Sequence, residues 1–449
     1  VIVGGGIGGC TAAIALHRAG AEVSVYEQSA EFREIGAGIN IQGVAIGVLD
    51  SLAVGLDQLC DPSKGDGIQT GEIQYFTPEG FFIAEEKTGL AAGSSHPQLS
   101  MHRAKLHGTL VEACQRLLGE ERLHLDSSFD GMEASDSGVT VRFRHRSSGE
   151  AMSPVSCDLL VGADGLKSRV RAELLGDQRP RYTGRTIFRG LCEVDALIGS
   201  GATVSLCGNH SRPGNFICYP ISEGRRRQGT THCNWAFCAH RPDPGVGESW
   251  TNVSSVEEIR DEVSSFSGNC FGGLTPLQMA ERTKGIIGWA LFDRDPLESF
   301  DFGRVTLLGD AAHPLLPFGS QGATQAILDA EALGVALARA LAAGGGDESG
   351  SDADVVRETV KAYSEMRCAV TGKIVIANRG MGPTRVLELI EEKCTGLAAE
   401  AKTAWIERSG RGLAEETIRT YRGAMPRSAC LEIVKSLNTL REWQTNLGP

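Results

Sequence analysis

The chain opens on three apolar residues, Val1 to Val3, which glycines at positions 4, 5, 6, 8 and 9 interrupt at once. An apolar run stopped by glycine predicts a buried strand and a tight turn, and the Ala-rich stretch to Gly20 predicts a helix. AEVSVYE (21–27) then alternates like a second strand and ends on Glu27. GAGINIQ (36–42) is a further glycine-rich crossing, 43–58 a short helix, and GEIQYFTPEGFFIAEE (71–86) a hairpin with a Pro-Glu-Gly turn. Helical spacing returns at 102–119 and stops at Gly119, VTVRFRHR (139–146) reads as a half-exposed strand, and CDLLVGADG (157–165) as a buried strand entering a turn. From 172 to 300 strand candidates such as 186–194, 216–221 and 231–239 alternate with polar turns, predicting a mainly antiparallel sheet. A buried strand at 303–313 leads into an Ala/Leu helix from about 321 to 342, a loop follows, and from 353 onward the pattern is helical.

Strand, glycine turn, helix, strand and terminal acid are the layout of an adenine dinucleotide site. Gly4 permits the turn, Gly6 leaves room for a pyrophosphate, and Gly9 lets the helix approach the sheet. The helix start offers unpaired N–H groups to phosphate, and Glu27 can accept from a ribose hydroxyl. The alternative for the motif alone is a purely structural glycine turn.

Composition narrows the class. A chain of 449 residues supports two or three lobes, and a net charge of −12 argues against a nucleic-acid-binding face. No apolar stretch reaches the roughly 18 residues of a membrane span. Thirteen cysteines without a CxxC pair predict reduced, mostly buried thiols rather than a metal site or a disulfide scaffold. The expected location is cytoplasmic or another soluble intracellular compartment, with upstream targeting left open because position 1 already lies in a strand.

Two aspartates carry further chemistry. Asp164-Gly165 and Gly309-Asp310 each follow a buried strand, placing a carboxylate at the sheet edge where α/β folds bind ligands. Asp310 is suited to a ribityl chain, and Asp164 to holding a loop closed or meeting a cofactor; each alone is also an ordinary turn residue. Gly319, Gly322 and Ala323 crowd small residues at the start of the long helix, where backbone N–H groups can face the electron-rich edge of a flavin.

These strings, GGGIGG (4–9), Glu27, GAGINIQ with Gly38, HR (102–103), DLLVGADGLKSRVR (158–171) and GRVTLLGDAAHPLLPFGSQGATQAILDA (303–330), resemble the FAD-dependent aromatic monooxygenases of the para-hydroxybenzoate hydroxylase class over residues 1–378. IFRG, YPI, NW and GSQGATQAILDA look nearest to the branch acting on phenazine carboxylates. Thr324 for asparagine, Leu328 for glutamate and the His313-Pro314 pair depart from the pattern.

The resemblance implies an α/β fold: a Rossmann-like FAD lobe (1–171 and 301–372), an inserted mainly antiparallel substrate lobe (172–300, with part of 71–100 a candidate to join it) and a C-terminal helical region (373–449). It assigns Glu27 to the adenosine ribose, Arg103 and Asp310 to the pyrophosphate and ribityl region, and Asp164 to flavin binding and access of the nicotinamide cofactor. The implied reaction is reduction of FAD by transient NADPH or NADH, formation of a C4a-hydroperoxyflavin with dioxygen, and hydroxylation of a planar aromatic or N-heteroaromatic acid. Tyr219 and Trp235 are the expected aromatic walls of the substrate cleft, Pro317 the residue stiffening the flavin-side loop, and Arg189 either a carboxylate ligand or a backbone anchor. His313 either tunes the flavin edge or is a satisfied buried histidine. A non-hydroxylating FAD oxidoreductase, a flavin halogenase and a flavin-retaining interaction module are the rival readings, and oligomeric state stays open.

Overall fold

A computed structural model describes residues 1–32, 37–61, 63, 65–176, 178–194, 203–208, 214–243, 253–268, 273–344, 352–380 and 384–424. Its first lobe is built on five parallel strands in the order Val305–Leu307, Leu160–Gly162, Ile2–Val3, Val25–Tyr26 and Leu123–His124. Ile2 stands opposite both Val161 and Val25. Every residue of the three central strands is buried, as a parallel sheet covered on both faces requires. Helix α1 (Ile7–Arg18) is small and apolar enough to lie against α2 (Arg103–Leu118) and the long α3 (Gly322–Gly344) in one core. The charged α4 (Asp352–Arg379) runs beside α3 and passes position 372 without a break.

The second lobe is an eight-stranded sheet whose central strands are Ile286–Asp293, Arg181–Val194, Thr231–His240 and Asn215–Pro220. Its far edge is supplied from early in the chain by the hairpin Glu72–Phe76 and Phe82–Lys87. All pairings are antiparallel except that of Thr203–Gly208 with Glu72–Phe76. One face of the sheet buries Phe188, Phe216, Trp235 and Phe237 against Phe266 and Met279. The opposite face looks back at the first lobe.

A three-stranded antiparallel sheet, Gly38–Ile41, Gln98–His102 and Ile68–Thr70, joins the lobes. Gly38 N donates to Asn234 Oδ1 over 2.8 Å, and Ser100 Oγ donates to the Pro220 carbonyl over 2.5 Å. After α4 the helices Arg385–Cys394 and Arg411–Ala424 press Val386, Leu387, Ile390, Ala414 and Ile418 onto Tyr75, Ile83 and Ala84. The C-terminal helices therefore cover the edge of the substrate-side sheet. Among the described residues no helix is long and apolar enough to cross a membrane.

Candidate active site

The glycine turn behaves as its spacing demands. Gly4 has φ +105°, and a Cβ there would lie 2.4 Å from the Ala163 carbonyl oxygen; one on Gly9 would lie 1.9 Å from that of Gly4. Gly6 differs, because it begins α1 with open space where its Cβ would be. Glu27 holds the turn: Oε2 accepts from Gly5 N and Oε1 from Ser29 N, each over 2.8 Å. On α2, Arg103 and His107 share one face by their i, i+4 spacing, and both border the same cleft. His107 Nε2 lies 2.7 Å from the Gly5 carbonyl, which can only accept, so the ring donates from that nitrogen. Sequence reasoning missed His107, although its position one turn after Arg103 was the available signal.

This cleft, of about 530 Å³, runs from Glu27 past Asp164 to Asp310 and Pro317. Asp164 is absorbed in local structure: it accepts from Ser168 Oγ at 2.5 Å, Arg169 N at 2.7 Å and Val170 N at 3.2 Å. Burial pushes its carboxyl pKa up despite those donors. Asp310 opens onto the cleft while protein encloses its other sides, and that desolvation raises its pKa against the opposing pull of His313 and Arg103. Beneath it, the buried guanidinium of Arg171 donates Nη1 to the carbonyls of Ala311 (3.0 Å) and Ala312 (2.9 Å), tying SRVR to GDAAH. Burial lowers the Arg171 pKa to about 10. A glycine cradle without Cβ obstruction, an acid at the far strand tip and an open acid near the helix start together fit FAD.

A second cavity of about 240 Å³ lies between the sheet face and the start of α3, and Arg189, Leu315 and Pro317 border both spaces. Gly38, Tyr219, Gly322 and Ala323 line it. Gly38 owes its lack of a side chain to the sheet lobe, since a Cβ would come within 2.5 Å of Asn234 Cβ and 2.7 Å of Tyr219 Cε2. The buried Tyr219 hydroxyl accepts from Arg189 Nη2 over 3.3 Å; burial raises its pKa, and Arg189 pulls the other way. The same nitrogen donates to the Gly38 carbonyl and to Asn234 Oδ1, and the guanidinium carbon sits 5.6 Å from the Trp289 ring centroid. Arg189 is thus anchored to backbone at one end while its body borders both spaces.

Trp235 corrects the sequence expectation. Cross-strand partners share a face, and the register pairs Tyr219 with Asn234 but Cys218 with Trp235. Trp235 therefore points away from the cavity, fully buried, stacked on Phe216 at 5.4 Å and donating Nε1 to Thr283 Oγ1 over 2.7 Å. The indole on the cleft side is Trp289, packed with Ile187, Leu316 and Phe318.

His313 also faces inward. Its Nε2 lies 2.6 Å from Asp329 Oδ2, and Asp329 Oδ1 accepts from Arg367 Nε over 2.7 Å. Burial opposes ionisation of Asp329, yet His313 and Arg367 outweigh it and hold the carboxyl at about 2. Thr324 accepts through Oγ1 from Gln42 N over 3.3 Å, joining the start of α3 to the strand after Gly38. Among the described residues no group of acidic, cysteine and histidine side chains is arranged to hold a metal.

Comparison with known proteins agrees with this geometry. The family model described as "FAD binding domain" matches residues 1–263 and 284–363. Phenazine 1,6-dicarboxylic acid hydroxylase PhzS of Lysobacter antibioticus is 35% identical over 384 residues, covering 84% of this chain and 88% of that protein. The 3-hydroxybenzoate 6-hydroxylase of Polaromonas naphthalenivorans (strain CJ2) is 31% identical, covering 85% and 86%. A salicylate hydroxylase substrate complex superposes with TM-score 0.70 at 19% identity over 97% of each chain, a likeness of fold. With the glycine turn, Glu27 and the open Asp310 placed along one cleft, the chain belongs to the FAD-binding-domain family and, within it, to the FAD-dependent aromatic hydroxylases of the para-hydroxybenzoate hydroxylase class.

Proposed function

We propose that the enzyme uses NADH or NADPH and dioxygen to hydroxylate a planar aromatic or N-heteroaromatic carboxylic acid. The observation that carries this reading is the junction of the long cleft with the smaller cavity at Arg189, Leu315 and Pro317, where a cofactor and a flat substrate would meet. Gly4, Gly6 and Gly9 would cradle the FAD pyrophosphate, Glu27 the adenosine ribose, Arg103 and Asp310 the phosphate and ribityl groups, and the α3 start at Gly322 and Ala323 the ring edge. Bound FAD supplies hydride acceptance and the activation of dioxygen.

The protein's own residues select and position the substrate. Ile187, Ile217 and Ala236 give the sheet side of the cavity an apolar surface that excludes water. Tyr219 offers an aromatic wall and a hydroxyl, and the side of Arg189 that makes no hydrogen bond among the described residues would receive a carboxylate. The names of the two curated relatives, one a phenazine dicarboxylate hydroxylase and one a hydroxybenzoate hydroxylase, support an acidic ring substrate.

The test is oxygen-isotope incorporation. The FAD-loaded enzyme is given NADH or NADPH with phenazine-1,6-dicarboxylate, 3-hydroxybenzoate and nicotinate-type acids under labelled dioxygen. One labelled oxygen atom in the product, with substrate-stimulated NAD(P)H consumption, is the expected result. Productive turnover that leaves the label out of the product means a non-hydroxylating oxidoreductase.

A further inference from the structure

The helices beyond α4 carry no sequence motif, yet a buried hydrogen-bond relay connects them to the junction of the two cavities. Asn378, in the last turn of α4, is fully buried and donates Nδ2 to the Leu316 carbonyl over 3.1 Å. Its Oδ1 accepts from the Tyr421 hydroxyl over 3.1 Å, and Tyr421 lies on the helix Arg411–Ala424. The Leu316 carbonyl can only accept, so it takes the amide N–H and leaves Oδ1 to accept from Tyr421, which holds the carboxamide from the other end. Turned over, Asn378 would put oxygen against the Leu316 carbonyl.

Leu316 is the right residue to fix. Its side chain is buried with Ile187, Trp289 and Phe318 on the cleft face of the sheet, while Pro317, next in the chain, borders both cavities. Proline has no N–H with which to tether itself, so its place depends on the preceding carbonyl. One residue beyond Asn378, Arg379 donates Nε to Asp293 Oδ2 over 2.8 Å at the end of the strand Ile286–Asp293. Three turns earlier Arg367 grips Asp329 of the FAD lobe. Helix α4 thus braces both lobes, with Asn378 at the point where its end meets the Leu316–Pro317 segment.

We propose that Asn378 and Tyr421 are positioning residues for oxygen transfer, holding Leu316–Pro317 at the cofactor–substrate boundary so that the C-terminal helices set the coupling of the reaction. This rests on the hydroxylase reading above. In coupled turnover, substrate C–H, dioxygen, NAD(P)H and a proton give C–OH, NAD(P)⁺ and water. In uncoupled turnover the same NAD(P)H, proton and dioxygen give NAD(P)⁺ and hydrogen peroxide, with the substrate untouched. A segment out of place favours the second balance because the ring no longer sits where oxygen is delivered.

Tyr421→Phe removes one hydroxyl from the relay, and Asn378→Leu removes both bonds while keeping the branched heavy-atom shape. In the FAD-loaded full chain, amide exchange over 315–320 is expected to rise on the order of five-fold in Tyr421→Phe, the ratio one ordinary net hydrogen bond sets, and further in Asn378→Leu. FAD content stays near wild type, and hydrogen peroxide released per NAD(P)H rises with 3-hydroxybenzoate or phenazine-1,6-dicarboxylate as probe. Unchanged exchange in that segment, or raised exchange with unchanged peroxide yield in a wild type that does hydroxylate, overturns the proposal. If wild type hydroxylates no aromatic acid, the functional reading falls and the coupling role with it, while the exchange result separately decides whether the relay holds the segment. Should Asn378→Leu fail to fold, Tyr421→Phe alone decides.

Discussion

Arg367 and Asp329 meet at 2.7 Å with neither side chain reaching solvent, joining α4 to α3 directly behind the Gly309–Asp310 turn. Asp329 Oδ2 also accepts from Gly309 N over 3.1 Å and faces His313, so one carboxylate holds both flanks of Asp310. Removing one partner of a buried pair leaves the other charge uncompensated, at about 3–5 kcal/mol. Asp329→Ala is expected to lose that much stability together with FAD occupancy, and Asp329→Asn distinctly less. With the carboxyl at about 2 against an ordinary 3.8, its stabilising contribution is complete above pH 3.8 and is lost as pH falls through 2. Thermal unfolding and flavin content of the two variants check the ranking.

The glycine turn separates into a folding position and a binding position. Gly9→Ala drives a methyl into the Gly4 carbonyl, so failure to fold or a large loss of stability is expected. Gly6 faces open space, so Gly6→Val should fold and instead block the cofactor's approach. Far-UV circular dichroism with FAD titration distinguishes them. A Gly6→Val protein that retains full FAD would remove the pyrophosphate from this turn.

Tyr219 and Trp235 face opposite sides of one sheet and should fail in opposite ways. Trp235→Leu leaves part of a sealed aromatic core unfilled and removes the Nε1 donor to Thr283 Oγ1, which keeps its own bond to the Met279 carbonyl, a cost of about 2–4 kcal/mol with coupling unchanged in the folded fraction. Tyr219→Phe keeps the packing and removes only the hydroxyl beside Arg189, so substrate KM or coupling should change while the melting temperature stays nearly constant. Product per NAD(P)H and thermal unfolding, measured on both variants, settle the pair.

What the sequence displayed and what it hid follow from the range of the forces involved. Gly4, Gly9 and Glu27 were legible because their constraints are local: a left-handed turn, a helix start and a strand tip lie within one βαβ unit. The side of the sheet that Trp235 faces depends on register with Asn215–Pro220, and a one-residue slip reverses it. Only the pairing of Tyr219 with Asn234 resolves it. The relay from Tyr421 to Leu316 spans more than a hundred positions and leaves no periodic trace. Arg171 closes a recognised string and His107 follows another, but their partners are backbone carbonyls, which no side-chain pattern announces.

Glu331 on α3 is buried, and neither of its carboxyl oxygens has a hydrogen-bond partner among the described residues. Burial pushes its pKa from 4.5 to about 8, with Arg367 pulling weakly the other way, so the folded protein carries it as a neutral acid at pH 7. The unfolded chain releases that proton near 4.5 and the folded chain only near 8. Stability from this group is therefore full below 4.5, declines by about 1.4 kcal/mol per pH unit between the two values, and is flat above 8. Glu331→Gln keeps the shape and removes the titration. Its advantage over wild type should be small at pH 5, grow to a few kcal/mol by pH 8 and stop growing there. Urea unfolding of both proteins from pH 5 to 9 measures the difference, in which all other titrating groups cancel. Parallel curves across that range would mean that Glu331 is ionised and paired in the folded enzyme.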